Sequence, residues 1–121
     1  MASFTISYSD GLRPLFSAMG LGPRYSGVDI DQNTVHVHLG WGFWSRFPRS
    51  AVVSAAPYDG RVYGWGAHGW GGRWLVNGSS KGIVTMRLVP TQRGWVLGIP
   101  VKLRELRVSV DDRDGLLQAV T

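Results

Sequence analysis

The chain contains no cysteine, which excludes disulfides, thiolate metal centres and cysteine nucleophiles. Glutamate is almost as scarce. Glu105 is the only one, and Arg104 and Arg107 stand beside it. Guanidinium neighbours favour the ionised carboxylate, which suits an ion pair and opposes a general-acid role. No Ser–His–Asp order with a nucleophile elbow is present, so the acid–base inventory points to a non-enzymatic protein. No uncharged apolar run reaches the roughly 18 residues of a membrane-crossing helix. The start, Met1-Ala2-Ser3-Phe4-Thr5, lacks the basic residues and apolar block of a signal peptide. These absences lead to the expectation of one soluble, cytoplasmic domain over residues 1–121.

Charged residues are few at 17%, whereas hydrophobic residues make up an ordinary 44% of the 121. That balance opposes intrinsic disorder, which needs low hydrophobicity and high net charge. The net charge is +5, and its placement is uneven. Residues 1–60 hold four basic and four acidic side chains, so the whole excess lies in residues 61–121. A basic surface attracts anionic partners by long-range forces, and it also keeps a protein soluble. Eleven of the thirteen basic residues are arginine, the side chain that pairs with planar oxyanions and stacks on aromatic rings.

Most of the chain alternates apolar and polar residues with period two, the sign of half-buried strands. Phe4, Ile6 and Tyr8 form a first strand within residues 3–8. Leu12, Leu15, Phe16 and Met19 follow at helical spacing, with Asp10 as a cap and Gly20 as a stop, which predicts a helix over 12–19 packed on the sheet. Strands are expected at Tyr25–Asp31 and Thr34–Leu39 around a Gln32-Asn33 turn, then at Phe43–Phe47 and Ala51–Tyr58. Asp59-Gly60 reads as a hairpin turn. Residues 64–72, with five glycines among them, read as a loop. Arg73–Val76, Ile83–Val89 and Leu103–Val110 complete the strands, with Pro90–Pro100 irregular between the last two. Asp111 or Asp112 caps a terminal helix over 112–120, too short to persist unless it docks. The expected core comprises Val28, Ile30, Val35, Val37, Val52, Leu75, Ile83, Leu106, Val108, Leu116, Leu117 and Val120.

This pattern is mainly β: a small antiparallel barrel of about seven strands with a C-terminal helix, plus an N-terminal strand and short helix. The segment Leu106-Arg-Val-Ser-Val-Asp-Asp-Arg-Asp-Gly-Leu-Leu-Gln-Ala-Val120 resembles the ending of bacterial pleckstrin-homology-like domains, including an actinobacterial group. There a last strand passes through serine and an acidic cap into a helix with paired apolar residues. Arg46-Phe47-Pro48-Arg49-Ser50-Ala51-Val52-Val53-Ser54 is similar to another segment of that family. The resemblance covers roughly residues 24–121 and leaves residues 3–20 as an addition. It implies a pleckstrin-homology-like barrel, a binding or interaction module that engages a protein partner or a second copy of itself through loops and open edges.

Several groups of residues carry possible binding chemistry. Gly64-Trp65-Gly66-Ala67-His68-Gly69 matches G-x-G-x-x-G, but no helix opens after it, so it is not a dinucleotide fingerprint. Trp65, His68 and Trp70 in this loop, together with Arg73, are weak candidates for a ligand lid. Ser79 and Lys81, within Gly78-Ser79-Ser80-Lys81-Gly82, offer an anion nest. His36 and His38 share one strand face and could supply two metal ligands, but the neighbouring sequence offers no third. His68 or Asp59 could complete such a site only through tertiary proximity, and a metal-dependent enzyme built on His36, His38 and His68 is the remaining alternative to a binding module. No cofactor or stoichiometric metal is therefore expected. Six tryptophans interleave with Arg46, Arg73 and Arg93, a composition that stacks nucleic-acid bases or simply builds a core. Arg73, Lys81, Arg87, Arg93, Lys102, Arg104 and Arg107 are the candidate contacts to nucleic acid or anionic lipid, and their clustering on one face would favour that alternative.

Overall fold

The computed structural model describes residues 2–8, 13–22, 25–59, 66–79 and 81–120. Among these described residues nine strands form one curled, half-barrel sheet, with a short N-terminal helix and a C-terminal helix. In chain order they are β1 (Ala2–Phe4), α1 (Arg13–Ala18), β2 (Ser26–Ile30), β3 (Thr34–Leu39), β4 (Phe43–Pro48), β5 (Val52–Tyr58), β6 (Gly66–Trp70), β7 (Arg73–Asn77), β8 (Ile83–Val96), β9 (Ile99–Ser109) and α2 (Arg113–Val120). The sheet runs β1-β2-β3-β4-β8-β9-β7-β6, and β5 pairs with β8 beside this path. Helix α2 packs against β5 and β8.

The meander β2–β3–β4 follows its alternation closely. Val35, Val37 and Leu39 of β3 and Phe43, Ser45 and Phe47 of β4 point inward, and the residues between them point out. The β2–β3 turn is held by Asp31, whose Oδ1 accepts hydrogen bonds from the backbone N–H groups of Asn33 and Thr34 at 2.8 and 2.7 Å. Those two bonds lower the Asp31 pKa, because they favour the ionised carboxylate.

The long hairpin β8–β9 is the spine of the molecule. The first part of β8 pairs with β5 and its end pairs with β4, so one strand serves two neighbours on the same edge. Its register against β9 shifts between Arg87 and Gln92. Such a bulge bends a strand and lets it change partner. It also explains why Pro90–Pro100, expected to be irregular, lies mostly within two strands. Pro90 falls in the bulge, where no ladder hydrogen bond is needed, and Leu97-Gly98 forms the tight turn. Both turn residues have positive φ, 51° and 82°.

Residues 64–72, expected to be a loop, instead contribute β6 at 66–70 and a turn at Gly71-Gly72 leading into β7. Those two glycines have φ of 65° and 86°, the left-handed geometry of a two-residue hairpin. Gly66 and Gly69 hide the alternation that would have marked the strand. Gly60 and Trp65 lie outside the described residues. The expected Asp59-Gly60 turn thus runs outside them. Strand β7 runs parallel to β9, the one parallel pair of the sheet among the described residues.

Residues 2–8 are integral to the sheet. Strand β1 pairs with β2, Ile6 bridges to Val110 and Tyr8 bridges to Gly78. Ile6 is fully buried. The seam is dense in satisfied polar groups. Ser7 N donates to Ser109 O at 2.9 Å, Asp111 N to Thr5 O at 3.0 Å and Ser109 Oγ to Ser7 O at 3.1 Å. Gly78 N donates to Ser109 Oγ at 3.1 Å, and the Ser7 and Ser79 hydroxyls meet at 2.9 Å.

Helix α1 is shorter than expected, and its apolar stripe does not all pack. Phe16 is buried, Leu15 and Met19 are exposed, and Leu12 and Asp10 lie outside the described residues. The helix ends in a Schellman motif: Leu21 N donates to Phe16 O at 2.8 Å and Gly20 N to Ser17 O at 3.2 Å, with Gly20 at φ 78°. Phe16 and Leu21 enter the core together, and the Phe16 ring meets Tyr8 at 5.3 Å. Asp112 caps α2, its Oδ1 accepting from Gly115 N at 3.0 Å. Leu116 and Val120 dock, whereas Leu117, Val52 and Leu75 of the expected core are only half-buried. Inward-facing Leu39, Phe43, Phe47, Met86, Leu88 and Leu103 contribute more.

Candidate functional site on the outer sheet face

The outward positions of β2, β3, β4, β8 and β9 fall into rows across the sheet. His38 lies opposite Trp44, Trp44 opposite Trp95 and Trp95 opposite Pro100. The two indole rings meet at 4.5 Å between centroids, and Trp44 is 43% exposed. In the next row Asp29 lies opposite His36, and His36 opposite Arg46. Arg93 lies opposite Lys102. Arg46, Arg93 and Lys102 are exposed and have no ion-pair partner among the described residues. Like charges directly opposite on a sheet repel, so the Arg93–Lys102 pair gains from an anion placed between them.

The two histidines are held differently. His38 Nδ1 lies 3.0 Å from Tyr25 O and its Nε2 lies 3.1 Å from Asp29 Oδ2. The His36 ring stacks obliquely on His38 at 4.8 Å and meets Trp44 edge-on at 5.9 Å. His36 Nε2 is buried and has no hydrogen-bond partner among the described residues. Burial lowers the His36 pKa first, and the charges of His38 and Arg46 lower it further against an opposing pull from Asp29. A neutral imidazole at neutral pH is the result. Beside it a cleft of about 190 Å³ is lined by Asp29, Ile30, Asp31, Thr34, His36 and Arg46.

The other residues singled out in the sequence do not converge here. Trp65 lies outside the described residues, and the backbones of His68 and Trp70 belong to β6, opposite Leu75 and Arg73. Arg73 pairs with Glu105 at 3.6 Å. Ser79 is buried, and its hydroxyl bonds both N–H and C=O of Lys81 at 3.1 Å. Lys81 itself borders a cleft with Asp59, Asp111, Asp112 and Asp114, a setting that opposes an anion nest. The basic excess divides in the same way. Arg107 lies 3.9 Å over the Tyr58 ring and 3.9 Å from Glu105, and Arg104 donates to Gly71 O at 3.0 Å. Of the seven candidate contacts, Arg93 and Lys102 lie beside the Trp44–Trp95 pair, and Arg87 is exposed farther along β8, opposite Ser54 and Glu105.

Asp29 is the candidate residue that the sequence reading missed: one ligand atom from each of Asp29, His36 and His38 lies within 4.8 Å of the other two. Its signal was available: a two-residue turn at Gln32-Asn33 sets Asp31 opposite Thr34 and, counting back, Asp29 opposite His36. The third donor sought at His68 or Asp59 comes instead from the neighbouring strand. No helix among the described residues is long and apolar enough to cross a membrane. No family model, curated protein or solved structure matches the chain.

Proposed function

We propose that the protein is a non-enzymatic, cytoplasmic binding module of pleckstrin-homology-like type whose outer sheet face holds single-stranded nucleic acid. The observation that carries the reading is the Trp44–Trp95 pair, Trp44 exposed and Trp95 half-buried, flanked by Arg46, Arg93 and Lys102, cations without partners among the described residues. Indole faces stack bases without regard to sequence, each stack contributing about 1–3 kcal/mol. The three cations neutralise backbone phosphates alongside. The ends of the β3–β4 and β8–β9 turns, with exposed Trp41 and Leu97, extend the apolar surface at one end of the row. Leu97 N donates to Gly42 O at 3.1 Å, which holds those two turns together.

A salt series on binding to fluorescent single-stranded DNA and RNA tests this reading. Three phosphate contacts give a slope of about −2 in log K against log salt, from about −0.7 per contact on single strands. Trp44→Ala with Trp95→Ala lowers affinity at least about tenfold, and Arg93→Gln lowers the slope by about 0.7. Absence of oligonucleotide binding at low salt overturns the proposal, as does co-sedimentation with anionic vesicles in its place.

A further inference from the structure

We propose that Asp29, His36 and His38 form a divalent-metal site, and that zinc is the ion its donors suit. The inference goes beyond nucleic-acid binding and does not depend on it. One ligand atom from each residue lies within 4.8 Å of the other two. Zinc binds imidazole nitrogen and carboxylate oxygen at about 2.0–2.2 Å, so two ligands of a tetrahedron stand about 3.3 Å apart. The 3.1 Å separation of His38 Nε2 and Asp29 Oδ2 already fits one such edge. Side-chain rotation closes the remaining distance, since all three residues are only half-buried.

The surroundings support the same assignment. The Tyr25 carbonyl, 3.0 Å from His38 Nδ1, accepts a hydrogen bond from that nitrogen. This bond fixes the tautomer with Nε2 as the basic atom, as metal-bound histidines are usually held. Nε2 then points its lone pair at a carboxylate, an arrangement that a cation between them satisfies. His36 carries a buried nitrogen with no hydrogen-bond partner among the described residues, which has lost water and gained no donor. The backbone prepares the geometry, because Asp29 and His36 are directly paired on β2 and β3 and His38 lies two residues further on the same face. Three protein ligands leave a fourth position, and the adjoining cleft has room there for water or a small anion beside Arg46.

The test is titration of the metal-free full chain with ZnCl₂, read by calorimetry and by thermal unfolding. One zinc per chain with micromolar or tighter affinity is expected, together with a melting temperature that rises with zinc and returns with chelator. Asp29→Asn, His36→Gln and His38→Gln should each weaken binding at least about tenfold, as loss of one of three ligands does. Circular dichroism of each metal-free variant should match the parent, so that lost binding is not lost folding. His68→Gln serves as the control and should bind as the parent does. Less than about 0.2 zinc per chain overturns the proposal. So does undiminished binding in the chain carrying all three substitutions, or loss of binding in His68→Gln alone.

Discussion

Two polar regions of this molecule behave in opposite ways. At the seam where residues 2–8 meet the ends of β7 and β9, Ser7, Ser79 and Ser109 are bonded to one another or to backbone, and the apolar residues beside them are buried. On the outer face of β3, β4, β8 and β9, a histidine nitrogen, two arginines and a lysine lack partners among the described residues and a tryptophan stands in solvent. Buried polar groups that are satisfied specify a structure, whereas unsatisfied ones cost free energy and persist where something else uses them. The seam holds the fold, and the face is where binding is to be sought.

The largest expected effect that separates the two regions is at the seam. Ile6→Ala removes a fully buried side chain and should destabilise by about 2–5 kcal/mol, read from the urea midpoint. A loss below about 1 kcal/mol would mean that residues 2–8 are an appendage after all. Ser109→Ala comes next. It leaves Gly78 N without its acceptor and Ser7 O without a donor, in a residue that is wholly buried, and should cost about 1–3 kcal/mol. An unchanged midpoint would show that the seam is not specified by its hydroxyls. The smallest effect has the opposite sign and belongs to the face. Leu97 sits at φ 51° with its side chain 61% exposed, a conformation that asparagine adopts more readily. Leu97→Asn should therefore stabilise by up to about 1 kcal/mol, measured in the same urea titration. A fall in stability would place the Leu97 side chain in the packing and blur the contrast.

What was legible in the sequence divides along similar lines. The β2–β3–β4 meander and the capped terminal helix are local, written in alternation, turn residues and the Asp112 cap, and they form where expected. Partner choice is not local. Nothing in Arg73–Asn77 announces a parallel pairing with β9, and nothing in Pro90 or Gly94 reveals that a bulge absorbs the interruption in β8. The interleaving of tryptophan and arginine was visible as composition. Which members share a face depends on register between strands distant in sequence, such as Trp44 with Trp95. Asp29 was recoverable from one turn, but the third ligand was sought in the loop and turn residues.

The bridge between Ile6 and Val110 has a consequence for how the chain is made. Synthesis proceeds toward the C-terminus, so Ile6 emerges long before the residue it bridges to. The inner partners of residues 5–7, at Ser109, Val110 and Asp111, arrive only when nearly everything else has been built. Until then β1 can pair with β2, but Ile6 beyond it is an apolar residue without its partner, the kind of segment that pairs with a neighbouring copy or with a chaperone. Closure at such sequence separation is also slow, since the chain entropy of a long loop is lost before the contact forms. Nascent chains truncated before Val110 should therefore expose an N-terminus open to protease, and the full chain should protect it.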